Sequence, residues 1–105
     1  MSTYCVTFRI ADKTVGGKTY AQRRETLLEN IRGDNIGYWE ETTSFVLVGS
    51  SLSTPAFAKK VVVGLSAGDD LVVVFDPEDM SASYFGKLEY LDVLKSFFPK
   101  LQKLP

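Results

Sequence analysis

Phe45-Val46-Leu47-Val48 is apolar at four successive positions, and Leu71-Val72-Val73-Val74-Phe75 at five. Successive side chains of a strand point to opposite faces. Two strands with no polar face must therefore lie in a sheet that is covered on both sides. The rest of the chain has to supply the covers. Working outward, Tyr4 to Ile10 alternates instead: Tyr4, Val6, Phe8 and Ile10 share one face, while Cys5, Thr7 and Arg9 share the other. That is a strand with one core face.

Thr19 and Gln22 stand three apart as in a capping box, and Gly33 is the kind of residue that closes a helix. The spacing predicts a helix over Tyr20 to Arg32, with Tyr20, Leu27, Leu28 and Ile31 inward. Residues 36–41 and 44–48 read as two short strands, joined through Thr42 and Thr43 in a tight hairpin. Thr54-Pro55 starts a second helix, because proline at the first helical position needs no amide partner. Phe57, Val61 and Leu65 share its inner face, and Gly68 marks its end. The β-branched run Val61-Val62-Val63 leaves a second option open, a hairpin with residues 71–75. Residues 80–86 read as a loop, and Lys87 to Phe98 as a C-terminal helix with Leu88, Leu91, Leu94 and Phe98 on one side, stopped by Pro99.

The order strand, helix, strand, strand, helix, strand predicts an α+β fold of the ferredoxin-like split βαβ kind. Its sheet would be four-stranded and antiparallel, with two helices on one face. At 105 residues the chain has room for one domain, 1–105, in which 80–105 forms a loop and helix extension. The second sheet face must be covered either by that last helix or by another copy of the chain, so a homodimer is expected.

Apolar residues make up 45% of the chain and charged ones 24%, the balance of an ordinary soluble domain. No apolar run approaches the length of a membrane span. The single cysteine, Cys5, cannot form an internal disulfide, and a cytoplasmic location is expected. Histidine is absent, which excludes triads with an imidazole base and zinc sites built on imidazole. A net charge of -1 gives no general attraction to nucleic acid.

Several local groups are candidate sites. Gly16-Gly17-Lys18-Thr19 ends as phosphate-binding loops do, but Asp12 stands at the first glycine of that motif, so a turn and helix cap is the preferred reading. Arg9, Asp12 and Lys13 are expected to approach Asp69 and Asp70, where ion pairing is favoured over a magnesium site. Lys13, Lys18, Arg23 and Arg24 form a basic patch and are the candidate nucleic-acid-binding residues, with Tyr4, Tyr38 and Trp39 as stacking surfaces. A solvated helix face explains the same charges. Asp76, Glu78 and Asp79 read as a solvated turn. Cys5 reads as structural, although Arg9 on the same face would lower its pKa.

Val6-Thr7-Phe8-Arg9-Ile10-Ala11-Asp12, Arg23-Arg24 and Trp39-Glu40-Glu41-Thr42-Thr43-Ser44-Phe45, taken with the element order, resemble the small CRISPR-associated adaptation proteins and their virulence-associated toxin-like relatives. The resemblance covers about residues 4–76 and leaves 80–105 outside. It implies a ferredoxin-like homodimer, in some members a magnesium-dependent nuclease and in others a non-enzymatic DNA-binding scaffold. The family's carboxylate near the end of the first strand is replaced here by Arg9, and Asp12 is the nearest carboxylate. The expectation is a non-catalytic dimeric scaffold or regulator that binds a macromolecular partner and needs no cofactor. The alternatives are a magnesium-dependent endonuclease, with Asp12 of each subunit as catalytic and metal-binding residue, and a small-ligand sensor.

Overall fold

A computed structural model describes residues 1–33 and 37–105. Its elements are β1 (Ser2–Arg9), α1 (Tyr20–Arg32), β2 (Tyr38–Trp39), β3 (Phe45–Ser50), α2 (Thr54–Val61), β4 (Leu71–Phe75), β5 (Ala82–Phe85), α3 (Leu91–Phe97) and β6 (Gln102–Lys103). All six strands form one sheet in the order β2-β3-β1-β4-β5-β6. The pairs from β2 through β5 are antiparallel, and β6 runs parallel to β5. The fold is α+β as expected, but the sheet is six-stranded and mixed, not four-stranded and antiparallel.

The alternation in β1 sets which side is which. Tyr4, Val6, Phe8 and Ile10 join Val46, Val48, Val72 and Val74 in a buried cluster against Leu27, Leu28 and Ile31 of α1 and Phe57, Ala58 and Val61 of α2. Both helices therefore cover one face. Tyr4 stacks on Phe57 with ring centroids 4.8 Å apart, and its hydroxyl donates to the Leu52 carbonyl at 2.6 Å. Tyr4 is thus a core residue and not a stacking surface for bases.

Helix α1 begins as the capping box dictates: Gln22 N–H donates to Thr19 Oγ1 at 3.2 Å, and Thr19 N–H to Gln22 Oε1 at 2.9 Å. Gly33 ends it at a φ of 50°, its N–H reaching the Glu29 carbonyl. The inner stripe is corrected at one position. Tyr20 is 38% exposed, and Arg23 is buried instead. Helix α2 is capped by Ser53 and stops at Val61, so residues 62–65 form a turn and not a strand. Gly64, at a φ of 86°, turns the chain four residues ahead of the predicted glycine.

The first strand of the expected hairpin is shorter than its sequence suggests, and the second runs on to Ser50. Pairing runs only Tyr38↔Val48 and Trp39↔Leu47, so the connection spans residues 40–44. Ile36, the expected first residue of that strand, lies outside the described residues. Beyond β4 the correction is larger. Residues 82–85, read as loop, pair with β4 in register Val72↔Phe85 to Phe75↔Ala82. The C-terminal helix shrinks to Leu91–Phe97, and β6 follows it, with the Leu104 N–H donating to the Tyr84 carbonyl at 2.8 Å.

The covers of the second face are now visible. Leu71, Val73 and Phe75 point away from α1 and α2, and the ring of Phe98, just past α3, lies 5.0 Å from that of Phe75. Leu94 of α3 shares a cleft with Leu71 and Val73. Helix α3 thus leans on β4. Over β1 the outer positions Thr7 and Arg9 are exposed, and over β3 Phe45 and Leu47 are half-buried. The apolar strands are covered over one half of the second face only. Among the described residues no helix is long and apolar enough to cross a membrane.

Candidate functional site

The end of β1 and the start of β4 come together as the topology requires, and four charged residues meet there. Arg23 and Asp70 form a buried ion pair, with 4% and 0% of their side chains exposed. Asp70 also accepts the Ala11 N–H at 3.0 Å through Oδ1 and the Ser66 N–H at 2.9 Å through Oδ2. Arg23 returns donors to the Ala11 carbonyl at 2.8 Å and the Lys13 carbonyl at 3.3 Å. One ion pair thereby ties the β1–α1 loop, α1 and the turn before β4 into a single knot. Above it, Lys13 Nζ lies 2.6 Å from Asp69, whose other oxygen accepts the Ser66 hydroxyl at 2.7 Å.

These contacts are the ion pairs that the sequence favours at this cluster: Lys13 engages Asp69, and Arg23 with two amides engages Asp70. The cations are Lys13 and Arg23, however, and not Arg9, which stays exposed. The basic patch loses Arg23 in the same stroke. Arg23 cannot reach a phosphate without abandoning Asp70, and Lys13 is already paired. Arg24 donates to the Thr43 carbonyl at 2.8 Å and lies 6.0 Å from the centre of the Phe8 ring. Lys18 and Asp12 are exposed.

The glycine pair serves a turn. Val15 and Lys18 exchange backbone hydrogen bonds at 2.9 and 3.0 Å across Gly16 and Gly17, whose φ values are 58° and 79°. That is the two-residue hairpin turn in which both central residues need positive φ. Of the amides that would cradle a phosphate, those of Val15, Lys18 and Thr19 are consumed by this bridge and by the capping box. The second acidic group is likewise local. Asp76 accepts the Glu78 N–H, and Asp79 accepts both the N–H and hydroxyl of Ser81, within the β4–β5 connection.

Hydrogen bonds from Lys13 and then Ser66 hold the Asp69 carboxyl below its ordinary range, and those from the Ser81 hydroxyl and amide do the same for Asp79. A carboxyl depressed in the folded state stabilises it above the unfolded pKa, near 4, and loses that contribution as pH falls through the lower folded value. Urea midpoints should therefore stay level from pH 7 to about 5 and then fall. Asp69→Asn together with Asp79→Asn should flatten that acid limb. An unchanged limb in the double variant would contradict this assignment.

Burial, and secondarily the charge of Asp76, push the Cys5 thiol up, the reverse of activation by Arg9. Cys5 is a buried, unreactive packing residue. At the other end of the molecule Arg32 clasps Glu40 with Nε–Oε2 at 3.1 Å and Nη2–Oε1 at 2.8 Å, which fixes α1 to the segment after β2. Tyr38 and Trp39 remain 44% and 41% exposed.

What sequence reasoning missed is on α3. No residue of this helix is buried, and Tyr90, Val93 and Phe97 are 70%, 57% and 68% exposed. Their spacing of three and four puts them on one side. Leu47 of β3 is half-buried and Trp39 of β2 exposed. The signal was present in the sequence: these three apolar residues fall outside the stripe Leu91, Leu94 and Phe98 that the sheet accounts for. Searches against protein-family models, curated proteins and solved structures find no match.

Proposed function

We propose that the chain is a non-catalytic module that works as a homodimer and presents a preformed surface to a macromolecular partner. The observation that carries the reading is the exposed apolar stripe of α3 beside a half-covered sheet face. Single exposed apolar residues are ordinary, whereas a stripe rimmed by polar residues marks an interaction surface. The charged groups support the non-catalytic part. Asp69 and Asp70 hold the loops in place, the Val15, Lys18 and Thr19 amides are engaged within the loop and cap, and the thiol is buried.

The finer fold belongs to this reading too. The antiparallel order β2-β3-β1-β4, with α1 and α2 together on one face, supports a ferredoxin-like unit that carries β5, α3 and β6 as an addition. It is the architecture implied by the resemblance to the small CRISPR-associated adaptation proteins. The endonuclease reading of that family would rest on Asp12 alone on this end of the chain, because the neighbouring carboxylates are held by Lys13 and Arg23.

Sedimentation velocity tests the proposal. The wild-type chain should sediment at twice its 11.7 kDa mass at micromolar concentration. Val93→Asp combined with Phe97→Asp should give folded monomers whose urea midpoint no longer depends on protein concentration, since neither side chain is buried within the protomer. A wild-type monomer at submillimolar concentration, or a dimer indifferent to both charges, would overturn it.

A further inference from the structure

We infer that the cleft between β1, β4 and the start of α3 is a binding site for a small apolar carboxylate, an aliphatic chain or ring bearing one acid group. This goes beyond the dimer proposal and stands on separate observations, although the cleft and the α3 stripe share Tyr90. The cleft holds 460 Å³, within the range of small-molecule sites. Its floor and walls are Leu71, Val73, Leu88 and Leu94, with the Tyr90 ring at one side and Arg9 at the mouth. The outer face of β4 supplies the floor because Leu71 and Val73 are out of step with the core residues Val72 and Val74. Helix α3 supplies the wall because it touches the sheet through few side chains and stands off from β1.

Charge selects the occupant. Arg9 lies on the outer face of β1, and among the described residues its side chain forms neither an ion pair nor a hydrogen bond, unlike those of Arg23, Arg24 and Arg32. Lys87 lines the same mouth, and Glu89 is the one carboxylate there, bridged to neither cation. The balance is positive, and a guanidinium presents two parallel donors that match a carboxylate. A neutral apolar guest would leave that fork unused. A phosphate alone would leave the apolar floor unused. A carboxylate with an apolar tail uses both.

The experiment is calorimetric titration of the full chain with hexanoate, octanoate and decanoate, with decan-1-ol as the uncharged control. Affinity should rise roughly fourfold for each methylene that enters the cleft. Arg9→Gln, an exposed substitution that leaves the fold intact, should weaken decanoate at least tenfold and leave decan-1-ol unchanged. Amide shifts on decanoate binding should cluster at residues 71, 73 and 88–94. The site is refuted by the absence of saturable binding at millimolar decanoate, by equal binding to Arg9→Gln, or by shifts elsewhere. A short peptide with an apolar C-terminal residue that binds more tightly than decanoate would assign the cleft to a protein tail and overturn the inference. Binding that only accompanies dissociation of a dimer would assign it to a second copy, with the same consequence, and sedimentation in the absence of decanoate tells that case from failure of the dimer itself.

Discussion

Asp70→Asn should lower the unfolding free energy by about 3–5 kcal/mol, a large part of what holds a domain of this size together. The change keeps the side chain's shape and removes its charge, leaving the Arg23 guanidinium buried at 4% exposure without a counter-ion. Replacing both partners by apolar residues often restores stability in a simple buried pair. Here it should not. Asp70 also accepts two amides and Arg23 also donates to two carbonyls, so Arg23→Met with Asp70→Leu strands the Ala11 and Ser66 amides and the Lys13 carbonyl, while the Ala11 carbonyl keeps the Lys13 N–H. The double variant should remain about 2 kcal/mol or more below wild type. Urea denaturation with matched slopes checks both numbers, and recovery of wild-type stability in the double variant would show that the pair is not the centre of a network.

Gly86→Ala should be comparably severe, about 3 kcal/mol or more, for a different reason. Gly86 has a φ of 99°, a conformation that side chains resist. In addition a Cβ there would overlap the Asp70 carbonyl oxygen and come within 2.9 Å of Leu71 Cδ2 and 3.1 Å of the Asp70 carbonyl carbon. The obstacle is mostly backbone, so it cannot swing aside. Gly17→Ala separates the two causes. Its φ is 79° but nothing lies within 4 Å, so it should cost only about 1 kcal/mol. Gly68→Ala, with open space and no positive φ, should be neutral or slightly stabilising. Thermal unfolding of the three variants gives the order directly, and equal losses at 17 and 86 would remove the steric argument.

The parts of the fold that were readable in the sequence are those where one strong local signal acts alone. The period of β1, the capping box of α1 and the unbroken apolar run of β4 each name an element, and each was found where expected. Residues 82–85 carry no such signal. Ala82-Ser83-Tyr84-Phe85 is four residues long and mixes small and polar side chains, and it becomes a strand because β4 offers it an edge. The C-terminal helix was overextended because apolar spacing continued through Lys87 to Tyr90, which the close approach of Gly86 to Asp70 redirects instead. Arg23 was misplaced for a related reason: a charged residue on a helix is usually solvated. Only the arrival of Asp70 from another part of the chain justifies burying it. In the same way the charge pattern named the meeting of residues 12–13 with 69–70, but chose Arg9 where Lys13 and Arg23 do the pairing. Arg9 was thereby left outward, beside a cleft that depends on where α3 lands.

The central position of β1 bears on how the molecule is made. Its partners are residues 45–50 on one side and 71–75 on the other, so neither edge of this strand is satisfied until a segment far along the chain has arrived. Assembly dominated by such remote pairings is slow compared with that of helical bundles of equal length. In the interval Tyr4, Val6, Phe8 and Ile10 form an open greasy ribbon, and it is during synthesis, more than in the finished molecule, that this protein is most exposed to aggregation.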